Sequence, residues 1–267
     1  MIVIKIGGTE GIDYLPICAD IAALIKEGKQ LIIVHGGSSE TNELSTQLGN
    51  PPRFITSPSG YTSRYTDQAT LRVFMMAVNG KINSLLVEQL QKQQVNAFGL
   101  SGLDGQTIQA TRKATVQSIE NGKKKIIRDD FTGKIGHINN LMLSTLLELG
   151  LTPIIAPLAI STEGEAVNVD ADRAAAAIAG AMNAELLILL TGAPGVLRKF
   201  PDPSSLMQHI PRQNLLDALE YAEGRMKKKI LATEEALGAG VKKVIISDGR
   251  IENPILNALS GTRTVID

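Results

Sequence analysis

The chain opens on Met1-Ile-Val-Ile-Lys-Ile-Gly-Gly8. An apolar run rich in β-branched residues, carrying one lysine, reads as a strand buried on both faces, the kind that parallel sheets contain. Lys5 is its single charge, and the strand delivers it toward a carboxyl end closed by Gly7 and Gly8. A glycine pair lets an anion such as phosphate approach the backbone. Thr9, Glu10 and Asp13 then lead into a helical pattern, and a glycine turn before a helix is the usual setting for an anion at a helix N-terminus. A lysine at this place serves structure as readily as chemistry, so the remaining sequence has to decide its role.

Strand-like and helix-like segments alternate along the chain, which predicts a largely parallel sheet with helices on both faces. Residues 14–26 read as a helix and 31–34 as a second strand, ending in His35-Gly-Gly-Ser38 before a helix over 39–48. Residues 49–60 form a proline-rich loop, and 67–93 read as a helix broken near Gly80. A strand over 95–100 precedes Ser101-Gly-Leu-Asp-Gly105. Residues 106–136 interrupt the alternation as an exposed antiparallel insertion, with strands over 107–110 and 124–128 placed around the hairpin signal Asn121-Gly122. A helix over 139–149, strands over 152–156 and 167–169, and a helix over 172–182 follow. A strand over 185–190 ends in Thr191-Gly-Ala-Pro-Gly195, then come a helix over 224–237 and a strand over 243–247. The expected division is two lobes, 1–160 and 161–267, sharing one sheet.

Composition removes several classes of function. Lys+Arg 27 balance Asp+Glu 27, so no overall field favours nucleic acid or a membrane surface. With no Trp and 3% aromatic residues, base stacking is a poor basis for binding. One cysteine, Cys18, allows no disulfide framework, and His35, His137 and His209 lack metal-ligand spacing. No secretory leader or membrane-length apolar run is visible, and a cytoplasmic location is expected.

Five features are candidates for chemistry. Gly36-Gly37-Ser38 repeats the setting of the first glycine turn, so two helix N-termini could face one anion. Neither turn is a Walker A loop or a dinucleotide fingerprint. Arg64 stands where the long loop meets a helix; it is a solvated residue, a partner of Asp67, or a bidentate carboxylate clamp. Asn168, Asp170 and Asp172 share a face if the segment is extended, and Asp172 could also cap the following helix. Gly224-Arg-Met-Lys-Lys-Lys229 places four cations at a helix start, the unfavourable end for positive charge unless an anion is there. The insertion gathers Arg112, Lys113, Lys123, Lys124, Lys125 and Arg128, a solvated hairpin or a dock for an acidic partner.

Taken in order, Lys5-Ile-Gly-Gly8, His35-Gly-Gly-Ser38, Arg64 and the segments 168–172, 191–195 and 224–229 resemble the amino acid kinase family, which includes acetylglutamate, carbamate and aspartate kinases. The resemblance runs over essentially the whole chain. The acetylglutamate kinase branch is nearest, and within it the kinases acting on 2-aminoadipate carried by the small acidic protein LysW, through segments 51–60, 63–67, 99–105 and 224–229. Ser38 stands where acetylglutamate kinases carry a third glycine, and Gly192 where many family members carry aspartate.

The resemblance implies an open, mainly parallel sheet in a three-layer α/β/α sandwich, a homodimer, an acceptor-binding N-terminal part and an ATP-binding C-terminal part. It implies transfer of the ATP γ-phosphoryl group to the side-chain carboxylate of LysW-bound 2-aminoadipate or glutamate, giving an acyl phosphate in lysine or arginine biosynthesis. Lys5 would meet the transferring phosphoryl group, Lys229 the leaving phosphate, and Asp172 would orient both lysines. Gly7, Gly8, Gly37 and Ser38 would bind phosphate. Gly36, Gly37, Arg64 and Asn168 would hold the acceptor. Thr191, Gly192, Ala193, Gly195, Val196, Gly224 and Met226 would line the nucleotide, with Mg²⁺ arriving on ATP and no metal ligand from the protein. Two rival functions are phosphorylation of free N-acetyl-L-glutamate and a catalytically silent nucleotide sensor.

Overall fold

The computed structural model describes residues 1–58, 60–120 and 123–267. The chain begins with β1 (Ile2–Ile6), α1 (Tyr14–Lys26), β2 (Leu31–His35) and α2 (Ser38–Gln47). A hairpin of β3 (Phe54–Thr56) and β4 (Thr62–Arg64) leads to α3 (Gln68–Met75), a π-helical segment (Met76–Asn83) and α4 (Ser84–Lys92). Next come β5 (Ala97–Ser101), β6 (Ile108–Arg112), β7 (Val116–Glu120), β8 (Lys123–Ile127), β9 (Gly133–Ile138) and α5 (Asn140–Glu148). β10 (Thr152–Ala156), β11 (Leu158–Ser161), β12 (Ala166–Asn168), α6 (Ala171–Ala181) and β13 (Leu186–Thr191) follow. The chain closes with β14 (His209–Ile210), α7 (Arg225–Gly238), β15 (Lys243–Asp248), α8 (Pro254–Ser260) and β16 (Thr264–Ile266).

The central sheet has the order β14-β16-β15-β13-β1-β2-β10-β5. The six strands from β15 to β5 are parallel, and the edge pair β14 and β16, parallel to each other, runs antiparallel to them. β1 lies between β2 and β13, with Lys5 level with Val34 and Leu189. The glycine turns after β1, β2, β13 and β15 therefore gather along one edge, at the point where the strand order reverses around β1, the usual place for a ligand in an open α/β sheet.

Strand period decides which face each β1 side chain meets. Ile4 and Ile6 pack with Ile17, Ile21, Leu86 and Ile255, residues of α1, α4 and α8. Val3 faces the other way, among Leu143, Ala175 and Ile230 of α5, α6 and α7. Lys5, two residues beyond Val3, is turned to that same face, toward the starts of α6 and α7. Small residues let these two helices approach closely: a Cβ on Gly180 would lie 2.5 Å from Ala239 Cβ.

Three sequence expectations need correction. Residues 67–93 are not broken at Gly80; the helix continues through a π-helical turn that contains it. The loop over 49–60 contains β3, paired antiparallel with β4. The insertion is not one hairpin of 107–110 with 124–128. β6 joins β9, β11 and β12 in a second sheet, where Ile108 and Ala110 are buried, and β8 pairs with β7 instead. Val116-Gln-Ser-Ile119 carries no period-two alternation that would set it apart from its polar surroundings. Asn121-Gly122 lies outside the described residues. Ile55, Tyr65, Ile127 and Val116 form a small core that seats β7–β8 on β3–β4. Among the described residues, no helix is long and apolar enough to cross a membrane.

Candidate active site

Lys5 Nζ lies 2.8 Å from Asp172 Oδ1, and Lys229 Nζ lies 2.7 Å from Asp172 Oδ2. Lys229 donates an aligned hydrogen bond, whereas the Lys5 contact is ionic and off the hydrogen-bond direction. All three residues are buried, at 5%, 7% and 5% exposure for Lys5, Asp172 and Lys229. Burial alone would raise the Asp172 carboxyl, but Lys229 and then Lys5 outweigh it and hold the group well below the usual carboxylate range. Burial lowers the Lys229 ammonium, with Asp172 opposing that effect. Two ammonium groups and one carboxylate leave an excess positive charge in a low-dielectric place, which suits a transferring phosphoryl group.

Asp172 is free for this role because another residue caps α6. Asp170 accepts hydrogen bonds from the N–H groups of Asp172 and Arg173, at 3.0 and 3.1 Å. The expectation of a capping Asp172 is thus corrected, as is a common face for 168, 170 and 172. β12 ends at Asn168 and α6 starts at Ala171, so the period of two does not carry through.

The two glycine turns touch. A Cβ on Gly8 would lie 2.2 Å from Gly37 N, and one on Gly36 would lie 2.7 Å from Gly8 N, so only glycine permits this backbone approach. Ser39 N and Ser38 Oγ each donate to Gly8 O at 2.8 Å. The N–H groups of Gly8 and Gly37 meet no acceptor among the described residues, which leaves both as donors for an anion. A Cβ on Gly7 would strike Ile12 Cδ1 at 2.5 Å, so this glycine also serves packing.

Behind the turns, His35 Nδ1 donates to Gly36 O at 2.9 Å, and Nε2 accepts from Asn83 Nδ2 at 3.1 Å. Asn83 Nδ2 also donates to Ile154 O at 2.8 Å. Burial pushes the His35 imidazole down to about 4, so it is neutral at pH 7. The π-helical turn aims Asn83 at this network, a use common to such turns.

Arg64 Nη2 donates to Ser38 O at 3.0 Å, while its Nη1 is buried without a partner. Burial and then Arg225 lower the guanidinium to about 10. Asp67 is not its partner: that carboxylate caps α3, accepting from Thr70 N at 2.8 Å. Asn168 Nδ2 donates to Thr66 Oγ1 at 3.2 Å, which brings Asn168 beside the Arg64 segment.

At the other end of the edge, a Cβ on Gly192 would sit 3.7 Å from Thr9 Oγ1 and 3.9 Å from Arg250 Cδ. Arg250 forms a fork with Asp248, at 2.9 Å from Nε and 2.7 Å from Nη2. Gly195 lies against Thr264, whose Oγ1 accepts from Val196 N at 2.8 Å. Thr191, Ala193 and Val196 are buried, Met226 is half-buried, and Gly224 takes a left-handed φ of 51° at the start of α7. Among the described residues no group of three His, Cys, Asp or Glu could hold a metal ion.

The insertion's cations divide. Arg112 turns inward: Nε donates to Asp130 O and Nη1 to Glu165, both at 3.0 Å, with the guanidinium 3.6 Å above the Phe131 ring. It holds the second sheet and does not belong to an exposed cluster. Lys113, Lys123, Lys124, Lys125 and Arg128 are exposed.

Sequence reading named Asp170 and Arg225 only within their segments and missed the α6 cap, the Ser38 contact and the Asp248–Arg250 fork. An Asp before a short-residue helix signals a cap, and Ser247-Asp-Gly-Arg250 follows a strand as the other glycine turns do. Arg225 was hidden in a run of cations that only the folded contacts can separate.

The model of the amino acid kinase family matches residues 1–248. A "[LysW]-aminoadipate kinase" of Deinococcus radiodurans is 50% identical over 266 residues, covering 100% of this chain and 91% of that protein. A "[LysW]-aminoadipate/[LysW]-glutamate kinase" of Sulfolobus acidocaldarius is 38% identical, covering 100% of both. The solved carbamate kinase of Giardia shares the fold, with a TM-score of 0.70 at 17% identity over 100% of this chain and 98% of that one. The chain belongs to the amino acid kinase family.

Proposed function

We propose that this phosphotransferase moves the γ-phosphoryl group of ATP to the side-chain carboxylate of 2-aminoadipate carried on LysW, giving an acyl phosphate in lysine biosynthesis. The observation that carries the reading is the buried Lys5–Asp172–Lys229 cluster beside two touching glycine turns. The names of the two relatives above supply the acceptor.

A carboxylate with an ordinary pKa near about 4 is ionised at neutral pH and needs no general base. The obstacle is repulsion between two anions, so the site must supply alignment and positive charge. Lys5 and the Gly8 and Gly37 N–H groups meet the oxygens of the transferring group. Lys229 meets the leaving phosphate, and Asp172 positions both lysines without taking a proton. Arg64, with its unpaired Nη1, grips the acceptor's α-carboxylate, and Asn168 its amide. Gly36 completes the acceptor side. Thr191, Gly192, Ala193, Gly195, Val196, Gly224 and Met226 surround the nucleotide, which brings Mg²⁺ with it. Residues 1–160 bind the acceptor and 161–267 ATP. The exposed lysines of β8 dock the acidic carrier, since β7–β8 rests on the hairpin that bears Arg64. The reading includes a cytoplasmic homodimer.

A second substrate, LysW-bound glutamate, is favoured by the Sulfolobus relative's name. One methylene separates the two, worth only about 1–3 kcal/mol. Trapping the acyl phosphate with hydroxylamine tests the proposal, using carrier-bound 2-aminoadipate, carrier-bound glutamate, and free acetylated forms of each. Turnover confined to carrier-bound substrates is expected. Micromolar-KM turnover of free acetylglutamate would reassign the acceptor, and no turnover with any carboxylate would favour a nucleotide sensor.

A further inference from the structure

Two guanidinium groups approach one serine where the two halves of the chain meet. Arg64 reaches Ser38 O from β4, and Arg225 Nη1, on the first residue of α7, reaches Ser38 Oγ at 3.4 Å. Among the described residues, neither arginine forms an ion pair. Arg64 Nη1 is buried and unpartnered, and Arg225 is exposed. Burial and Arg225 both work against the Arg64 charge. Like charges held together without a carboxylate raise the free energy of the site unless an anion engages both. Guanidinium forks are shaped for carboxylates, and two forks from different directions define a single oxyanion more closely than one.

We propose that Arg225 is a second guanidinium for the acceptor's non-reacting carboxylate, gripping it from α7 while Arg64 grips it from β4. The inference rests on the carboxylate-kinase reading above. Arg225 belongs to the nucleotide half by sequence, yet its contact is with Ser38, the first residue of α2, beside Arg64. Ser38 Oγ also bonds Gly8 O of the first glycine turn, so a contact of Arg225 with the phosphoryl group is the competing outcome, which the ATP KM separates. Because α7 also carries Lys229, an acceptor held by both arginines ties the acceptor half to the helix that supplies the phosphoryl-binding lysine. Arg225 would thus select acceptors with a free carboxylate beside the amide.

The test is steady-state kinetics with ATP and LysW loaded with 2-aminoadipate or with its α-carboxamide, on wild type, Arg225→Ala, Arg225→Lys and Arg64→Ala. Arg225→Ala should raise the acceptor KM about tenfold, the scale of one lost charge-assisted contact, and leave the ATP KM within about twofold. Arg225→Lys should recover only part of the loss, because an ammonium lacks the fork. On the carboxamide, wild type and Arg225→Ala should be alike. An equal penalty on both acceptors, or a rise in the ATP KM in place of the acceptor KM, overturns the inference. A wild-type enzyme silent toward every carboxylate overturns the functional reading itself, a failure visible before any variant is made.

Discussion

Lys5, Asp172 and Lys229 meet in a buried cluster that pairs internally, whereas Arg64, Ser38 and Arg225 meet in a more open place where one guanidinium nitrogen has no partner. The first arrangement fixes its charges before any substrate arrives. Its counter-ion, Asp172, is part of the fold, so the lysines keep their positions in a medium that magnifies their field. The second keeps one buried guanidinium nitrogen unpaired within the fold. In the proposed function, phosphoryl transfer falls to the internally paired end. In the same proposal, acceptor choice falls to the open end.

The largest expected effect is at the closed end. Lys5→Ala should lower kcat about a hundredfold or more, on the scale of other electrostatic deletions. The fold should persist, because Lys229 still pairs Asp172 at 2.7 Å. Asp172→Ala should behave differently and cost about 3–5 kcal/mol of stability, since it strands two buried ammonium groups. Single-turnover rates and thermal unfolding separate the two outcomes. Near-normal turnover of Lys5→Ala would remove the closed end from the chemistry.

His35 ties the glycine turn to the core, and its imidazole sits at about 4 against an ordinary 6.5. Between those values the unfolded chain holds the extra proton, so stability rises with pH through this window and is complete above 6.5. On acidification from pH 7 to 4, the loss is on the order of 3 kcal/mol. His35→Gln should be less stable at pH 7 and show a flatter pH dependence of Tm. An unchanged slope in that variant would mean that other groups set the acid limit.

Next in size is docking at the open end. Lys123→Ser with Lys124→Ser should raise the KM for carrier-bound 2-aminoadipate about threefold to tenfold at low salt, with little effect in high salt, where exposed charges are screened. The KM for ATP should not move. A loss that persists in high salt would point to a packing role for β8 rather than a steering one.

How much of this could be read from sequence differs by region for a physical reason. β1 announces itself because burial on both faces demands a continuous apolar run, and Lys5 stands out against it. Gly8 and Gly36 are legible because close backbone contact excludes every side chain. The β3–β4 and β7–β8 hairpins are short and half-exposed, so polar residues fill them and their alternation is weak. Arg112 was misjudged with the insertion's cations because its partners Glu165 and Phe131 are distant in sequence or apolar. Asp172 was expected to orient two lysines, but the cap that frees it, Asp170, was seen only in the folded chain.

Ser38 stands between the two ends and gives the smallest expected effect. Its Oγ donates to Gly8 O at 2.8 Å on the closed side and accepts from Arg225 at 3.4 Å on the open side. Ser38→Gly removes both contacts, but Gly8 O keeps its bond from Ser39 N at 2.8 Å, so the two turns should stay together. Arg64 is also unaffected, because it bonds the backbone oxygen of residue 38. The remaining loss is one long hydrogen bond to an exposed arginine, worth under about 1 kcal/mol. The variant should therefore show a kcat within about twofold of wild type and an acceptor KM raised no more than about fivefold, as one weak contact allows. A hundredfold fall in kcat would instead show that Ser38 couples the two ends into one unit, and the division between a paired phosphoryl end and an open acceptor end would not hold.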